Sequence, residues 1–110
     1  MDLKVREQDG TKIFEVMGEV TALTADELKR TIGGSISGGS KKVIVDLDSA
    51  DQVDSAGLTA FISIFKTARS ENARFVIVCG KFAIRQVFDL TRLDKVLEIY
   101  PNLEEALAQV

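Results

Sequence analysis

A chain of 110 residues, 45% of them hydrophobic and 28% charged with both signs mixed, is one domain's worth of protein and can bury a proper core. Its net charge of -3, with no basic run longer than Lys41-Lys42, excludes a footprint for gripping a phosphate backbone, so nucleic acid is not an expected partner. Histidine is absent, which excludes Ser-His-Asp and Cys-His triads and imidazole metal ligands within the chain, and no apolar run approaches the roughly 20 residues needed to cross a bilayer.

Leu3 and Val5 alternate with Lys4 and Arg6, and after Asp9-Gly10 a second apolar run covers Ile13 to Met17, so two strands around an Asp-Gly turn form a hairpin that Gly18 ends. Thr24 stands three residues before Glu27, the spacing of a capping box, and predicts the start of a first helix. That helix is expected to fade at Gly33-Gly34, with a Gly- and Ser-rich loop to Ser40. Val43-Ile44-Val45 and the run Phe75 to Cys79 read as strands covered on both faces. Between them Leu58, Phe61, Ile62, Phe65 and Ala68 fall on one side of a helix from Ser55 to Ser70, which makes the segment a parallel crossover. Ile84, Val87, Phe88 and Leu90 suggest a third helix, Val96 to Tyr100 a short edge strand, and Leu103 to Ala108 a closing helix behind Pro101. The expectation is an α/β fold, a mixed and mostly parallel sheet of about five strands with about four helices, in a single domain over residues 1–110 without repeat or linker.

The segment Asp46 to Leu58 follows a buried strand and leads into a helix, the place where open α/β sheets present functional groups. Ser55 at a helix start sits among backbone N–H groups that favour a phosphate, so it is a candidate phosphate acceptor, while Asp54 or Ser55 acting as the N-cap accounts for the same residues without any function. The outward positions Ala56, Thr59 and Ser63 are small and uncharged, which suits the centre of an interface or an incidental stretch of surface. Asp46, Asp48, Asp51 and Asp54 do not follow the Ca²⁺-loop pattern, Gly33-Gly34 and Gly38-Gly39 lack the Lys-Ser or Lys-Thr of a phosphate-binding loop, and the lone Cys79 follows a buried run. No catalytic residue, metal or cofactor is therefore expected. The N-terminus lacks an apolar signal core and Cys79 has no internal partner, both of which suit a cytoplasmic protein with no membrane insertion.

Val43-Ile44-Val45-Asp46-Leu47 followed by Val53-Asp54-Ser55-Ala56-Gly57-Leu58 resembles the signature of STAS domains, specifically of the bacterial anti-sigma factor antagonists. Ile84 to Asp94 is similar to that family's third helix and following turn, and the resemblance spans nearly the whole chain. It implies a partner switch. The serine matching Ser55 is phosphorylated by a kinase that doubles as an anti-sigma factor, and the unphosphorylated protein binds that kinase, which releases the sigma factor until a phosphatase resets the system. On this resemblance Asp54 orients the site, Gly57 admits a partner to the backbone, and Glu19, Thr21, Ala56, Thr59 and Ser63 join the partner surface of a protein that is a monomer on its own. One position departs from the pattern: Thr21 stands where many members carry an aspartate, which leaves a constitutive binder as an alternative. The family also includes accessory subunits of transporters and nucleotide- or small-ligand-binding domains, which are the rival readings.

Overall fold

The computed structural model describes residues 1–110 as β1 (Asp2–Gln8), β2 (Thr11–Val20), α1 (Ala25–Ser37), β3 (Lys42–Asp46), β4 (Ala50–Val53), α2 (Ser55–Ser70), β5 (Arg74–Val78), α3 (Phe82–Leu90), a 3₁₀ turn (Leu93–Lys95), β6 (Glu98–Tyr100) and α4 (Leu103–Gln109). The sheet runs β1-β2-β3-β5-β6; β1 is antiparallel to β2 and every other pairing is parallel. Asp9 and Gly10 both hold positive φ, 51° and 81°, the backbone a two-residue hairpin turn needs.

Gly18 ends the hairpin pairing, whose last rung is Asp2 with Met17, but it does not end β2. At φ 89° it sits where the register of β2 shifts, and the strand continues to Val20 with a new neighbour. Lys12 to Glu15 pair with β3, whereas Gly18 to Val20 pair with β4. The sheet thus has six strands rather than five, and the extra one, β4, lies in the acidic stretch between Asp46 and Asp54.

The period-two alternation of the central strands sends side chains to opposite faces. Phe14, Val43, Val45, Phe75 and Ile77 meet Leu28, Ile32 and Ile36 of α1, Leu58, Phe61 and Ile64 of α2, and Ile84 and Phe88 of α3 in the larger core. Ile13, Ile44, Val76 and Val78 turn the other way, where Ala106, Leu103 and Leu107 of α4 cover them. Each fully buried Ile, Leu or Phe contributes roughly 1.5–3 kcal/mol, so the α1–α2–α3 face carries most of the apolar stabilisation.

That burial explains why α1 runs through Gly33-Gly34 to Ser37 instead of fading. Leu28, Ile32 and Ile36 recur every four residues and all three are fully buried, which outweighs the roughly 1 kcal/mol that each glycine costs a helix. In α2 the buried stripe is Leu58, Phe61, Ile64 and Ala68; Ile62 and Phe65 are only half-buried, a small rotation of the expected face. Leu90, one of the apolar residues that suggested α3, is 77% exposed.

Candidate functional site

The site lies where β2 and β4 end and α2 begins. Val20 pairs with Val53 in the last rung of the two parallel strands, and the Asp54 N–H donates to the Val20 carbonyl at 3.0 Å. Asp54 stays extended, and its Oδ1 accepts the Gly57 N–H at 3.0 Å while its carbonyl accepts the Leu58 N–H, so one residue both ends the strand and caps the helix. Ser55 is the first helical residue and is exposed. The first-turn N–H groups of Ser55 and Ala56 lie outside the helical ladder, at the positive end of a sixteen-residue helix.

Gly57 faces inward. A Cβ there would lie 2.9 Å from the Val20 carbonyl oxygen and 2.9–3.0 Å from the Val20 and Val53 methyl groups, so α2 rests directly on the ends of the two strands. The expectation that Gly57 opens the backbone to a partner is replaced by this internal close approach. One turn on, the exposed Thr59 donates its hydroxyl to the Ser55 carbonyl at 2.9 Å. Ala56 and Ser63, both half-buried, line with Thr59 and Ala60 one wall of a groove of about 370 Å³. Its other wall is the start of α1, with Ala22, Ala25, Asp26 and Lys29. These α1 residues were not legible beforehand, because their proximity to α2 comes from the packing of segments some thirty positions apart.

Glu19 and Thr21 flank the site from the β2 end. Glu19 is exposed and its carbonyl accepts the Thr24 hydroxyl at 2.9 Å, while the Thr21 N–H donates to Thr24 Oγ1 at 2.9 Å. Thr21 is itself occupied in the turn, its Oγ1 accepting the Leu23 N–H at 3.3 Å and its carbonyl the N–H groups of Thr24 and Ala25. The capping box read at Thr24 and Glu27 does not form, since Thr24 makes no side-chain cap and its hydroxyl serves the loop instead.

The aspartates between β3 and α2 are spread out rather than gathered. Asp48 Oδ1 accepts the Gly80 N–H at 2.8 Å and ties the β3–β4 turn to the end of β5, with the whole of β4 between it and Asp54. Asp46 pairs across the sheet with Glu15, and its carboxyl is pushed above the usual carboxylate range chiefly by burial, against a hydrogen bond from the Asp48 N–H. Asp54 and the exposed Asp51 are left as the carboxylates nearest Ser55 in the chain. Cys79 is 2% exposed, and burial pushes its thiol up, away from the thiolate that nucleophilic chemistry requires. No helix is long and apolar enough to cross a membrane.

Comparison with known proteins places this arrangement among relatives. An anti-sigma factor antagonist from Mycobacterium paratuberculosis has a similar structure, with a TM-score of 0.90 and 29% identity over 99% of this chain and 92% of that one. A curated relative described as the putative anti-sigma factor antagonist BtrV of Bordetella bronchiseptica is 29% identical over 98% of this chain and 92% of its own length. The anti-sigma-B factor antagonist of Listeria monocytogenes is 28% identical over 90% and 86%. The anti-sigma factor antagonist SpoIIAA in its unphosphorylated form, at 14% identity and a TM-score of 0.74, shares the fold. The model of the STAS domain matches residues 2–106, nearly the entire chain, and the protein belongs to the STAS domain family.

Proposed function

We propose that this protein is an anti-sigma factor antagonist that binds a kinase-type anti-sigma factor while Ser55 is unphosphorylated, so that the sigma factor is released. The observation that carries the reading is the position of Ser55: an exposed hydroxyl at the first residue of α2, next to the Asp54 cap and at the head of the groove between α1 and α2. The names of the Bordetella and Listeria relatives support it.

A phosphate on Ser55 adds about -1.5 to -2 charges at neutral pH. In the free protein, water and the helix start accommodate it. Pressed against a partner it must be desolvated beside Asp54, and uncompensated burial of charge costs several kcal/mol. The partner surface comprises Glu19, Thr21, Asp54, Ala56, Thr59 and Ser63. Binding needs no movement of α2, and reversal falls to a phosphatase acting on phospho-Ser55. The chain itself performs no catalytic turnover, needs no cofactor and works in the cytoplasm.

The test is incubation with the ATPase-type anti-sigma factor encoded nearest to this protein's gene, with ATP, and location of any modification by mass spectrometry. Phosphate confined to Ser55, together with a Ser55→Ala variant that still binds but is not modified, is the expected result. An unmodified Ser55 alongside tight binding would identify a constitutive binder and overturn the switch.

A further inference from the structure

The outer face of α3 is unusually apolar. Phe82 is 78% exposed and Leu90 77% exposed, two of the five large hydrophobic side chains that the fold leaves in water. At 100° per residue both project from the side opposite the buried Ile84 and Phe88, with the exposed Gln86 midway between them. Arg85 and Asp89 flank this stripe on one side, their Nε and Oδ1 atoms 3.0 Å apart.

The stripe is palindromic in its chemistry. We propose that α3 is the contact surface of a weak, reversible homodimer in which two copies of α3 lie antiparallel across a twofold axis at Gln86. In that arrangement Phe82 of each copy meets Leu90 of the other. The two Gln86 amides, each with a donor and an acceptor, face one another on the axis. Antiparallel helices bring the same flank of each copy together, so Arg85 of one copy faces Asp89 of the other, twice. A parallel pairing would turn this flank toward the other copy's opposite flank, where Ala83 and Val87 stand, so only the antiparallel pairing gives Arg85 and Asp89 partners of opposite charge across the dimer. Two large apolar side chains per copy fall well short of the roughly 800 Å² per partner of a stable interface, which makes the dimer weak and leaves the dilute protein monomeric as expected from the sequence. This surface lies on a different helix from Ser55, and its test does not depend on the switch.

Sedimentation equilibrium from low micromolar to millimolar protein is the measurement. Concentration-dependent dimerisation is expected, weakened at least about tenfold by Leu90→Asp or Phe82→Asp, a change of about 1.4 kcal/mol or more. Both side chains are exposed, and an unchanged circular dichroism spectrum excludes misfolding. Arg85→Asp and Asp89→Arg should each dimerise more weakly than the parent, yet an equimolar mixture of the two should associate more tightly than either alone. In the mixed dimer the first variant presents two carboxylates on this flank and the second two guanidinium groups, so both cross-dimer pairs are again of opposite charge. A pair acting only within its own helix cannot produce that rescue. A monomer up to millimolar concentration, association indifferent to Leu90→Asp, or a mixture no tighter than its components would each overturn the proposal.

Discussion

The starts of α1 and α2 look alike in sequence and are built differently. Each follows a residue with a strong preference for capping, yet Asp54 caps α2 through the Gly57 N–H, whereas the Thr24 hydroxyl is spent on Glu19 and Thr21 of the preceding turn. The first helix start is held by its loop and the second by one carboxylate anchored on the sheet. The difference places rigidity where Ser55 stands, since Asp54 is bonded at once to the end of β2 and to the first turn of α2.

The contrast predicts a ranked series of stability losses, read from urea denaturation. Gly57→Val should cost the most, about 3 kcal/mol, because its branched side chain would be driven into the Val20 carbonyl and two valine methyls. Asp54→Ala should cost about 1.5 kcal/mol through the lost cap. Thr24→Val should cost about 1 kcal/mol through two turn hydrogen bonds rather than any cap. Glu27→Ala should stay within about 0.5 kcal/mol, since no capping box exists for it to break. A large loss at Glu27 or none at Asp54 would erase the distinction between the two helix starts.

The smallest effect belongs to a pair remote from both, the Arg74 guanidinium bound to the Glu98 carboxylate across β5 and β6. Arg74 holds the Glu98 carboxyl below its ordinary 4.5, with the Tyr100 hydroxyl assisting against partial burial. A depressed carboxyl stabilises the fold above its unfolded value and loses that contribution as pH falls through its folded value. Carboxyl titration by NMR should therefore find Glu98 below 4.5, and Arg74→Ala should raise its midpoint and remove this part of the acid dependence while leaving Ser55 and α2 unaffected.

Much of this was legible in the sequence where one rule dominated. The hairpin followed from Asp9-Gly10, α2 from its apolar spacing, and β3 and β5 from unbroken β-branched runs. The failures share a cause, in that local signals were outvoted by packing. Gly18 ends the pairing with β1 as its sequence context indicates, but it is also the point where β2 exchanges β3 for β4 and runs on, which no local signal showed. β4 was invisible because only Ala50 and Val53 of its four residues are buried, and the exposed polar Asp51 and Gln52 between them read as loop. Within the site, Asp54 and Ser55 were placed from local order alone. The inward role of Gly57 and the α1 wall of the groove depend on contacts between distant segments that no spacing encodes.

The central claim, that a charge at Ser55 governs binding, is tested most directly by calorimetric titration of the anti-sigma factor with unmodified and Ser55-phosphorylated protein. The expected result is an affinity at least about a thousandfold weaker for the phosphorylated form, the consequence of burying a dianion beside Asp54 without a compensating partner charge. Equal affinities for the two forms would contradict it.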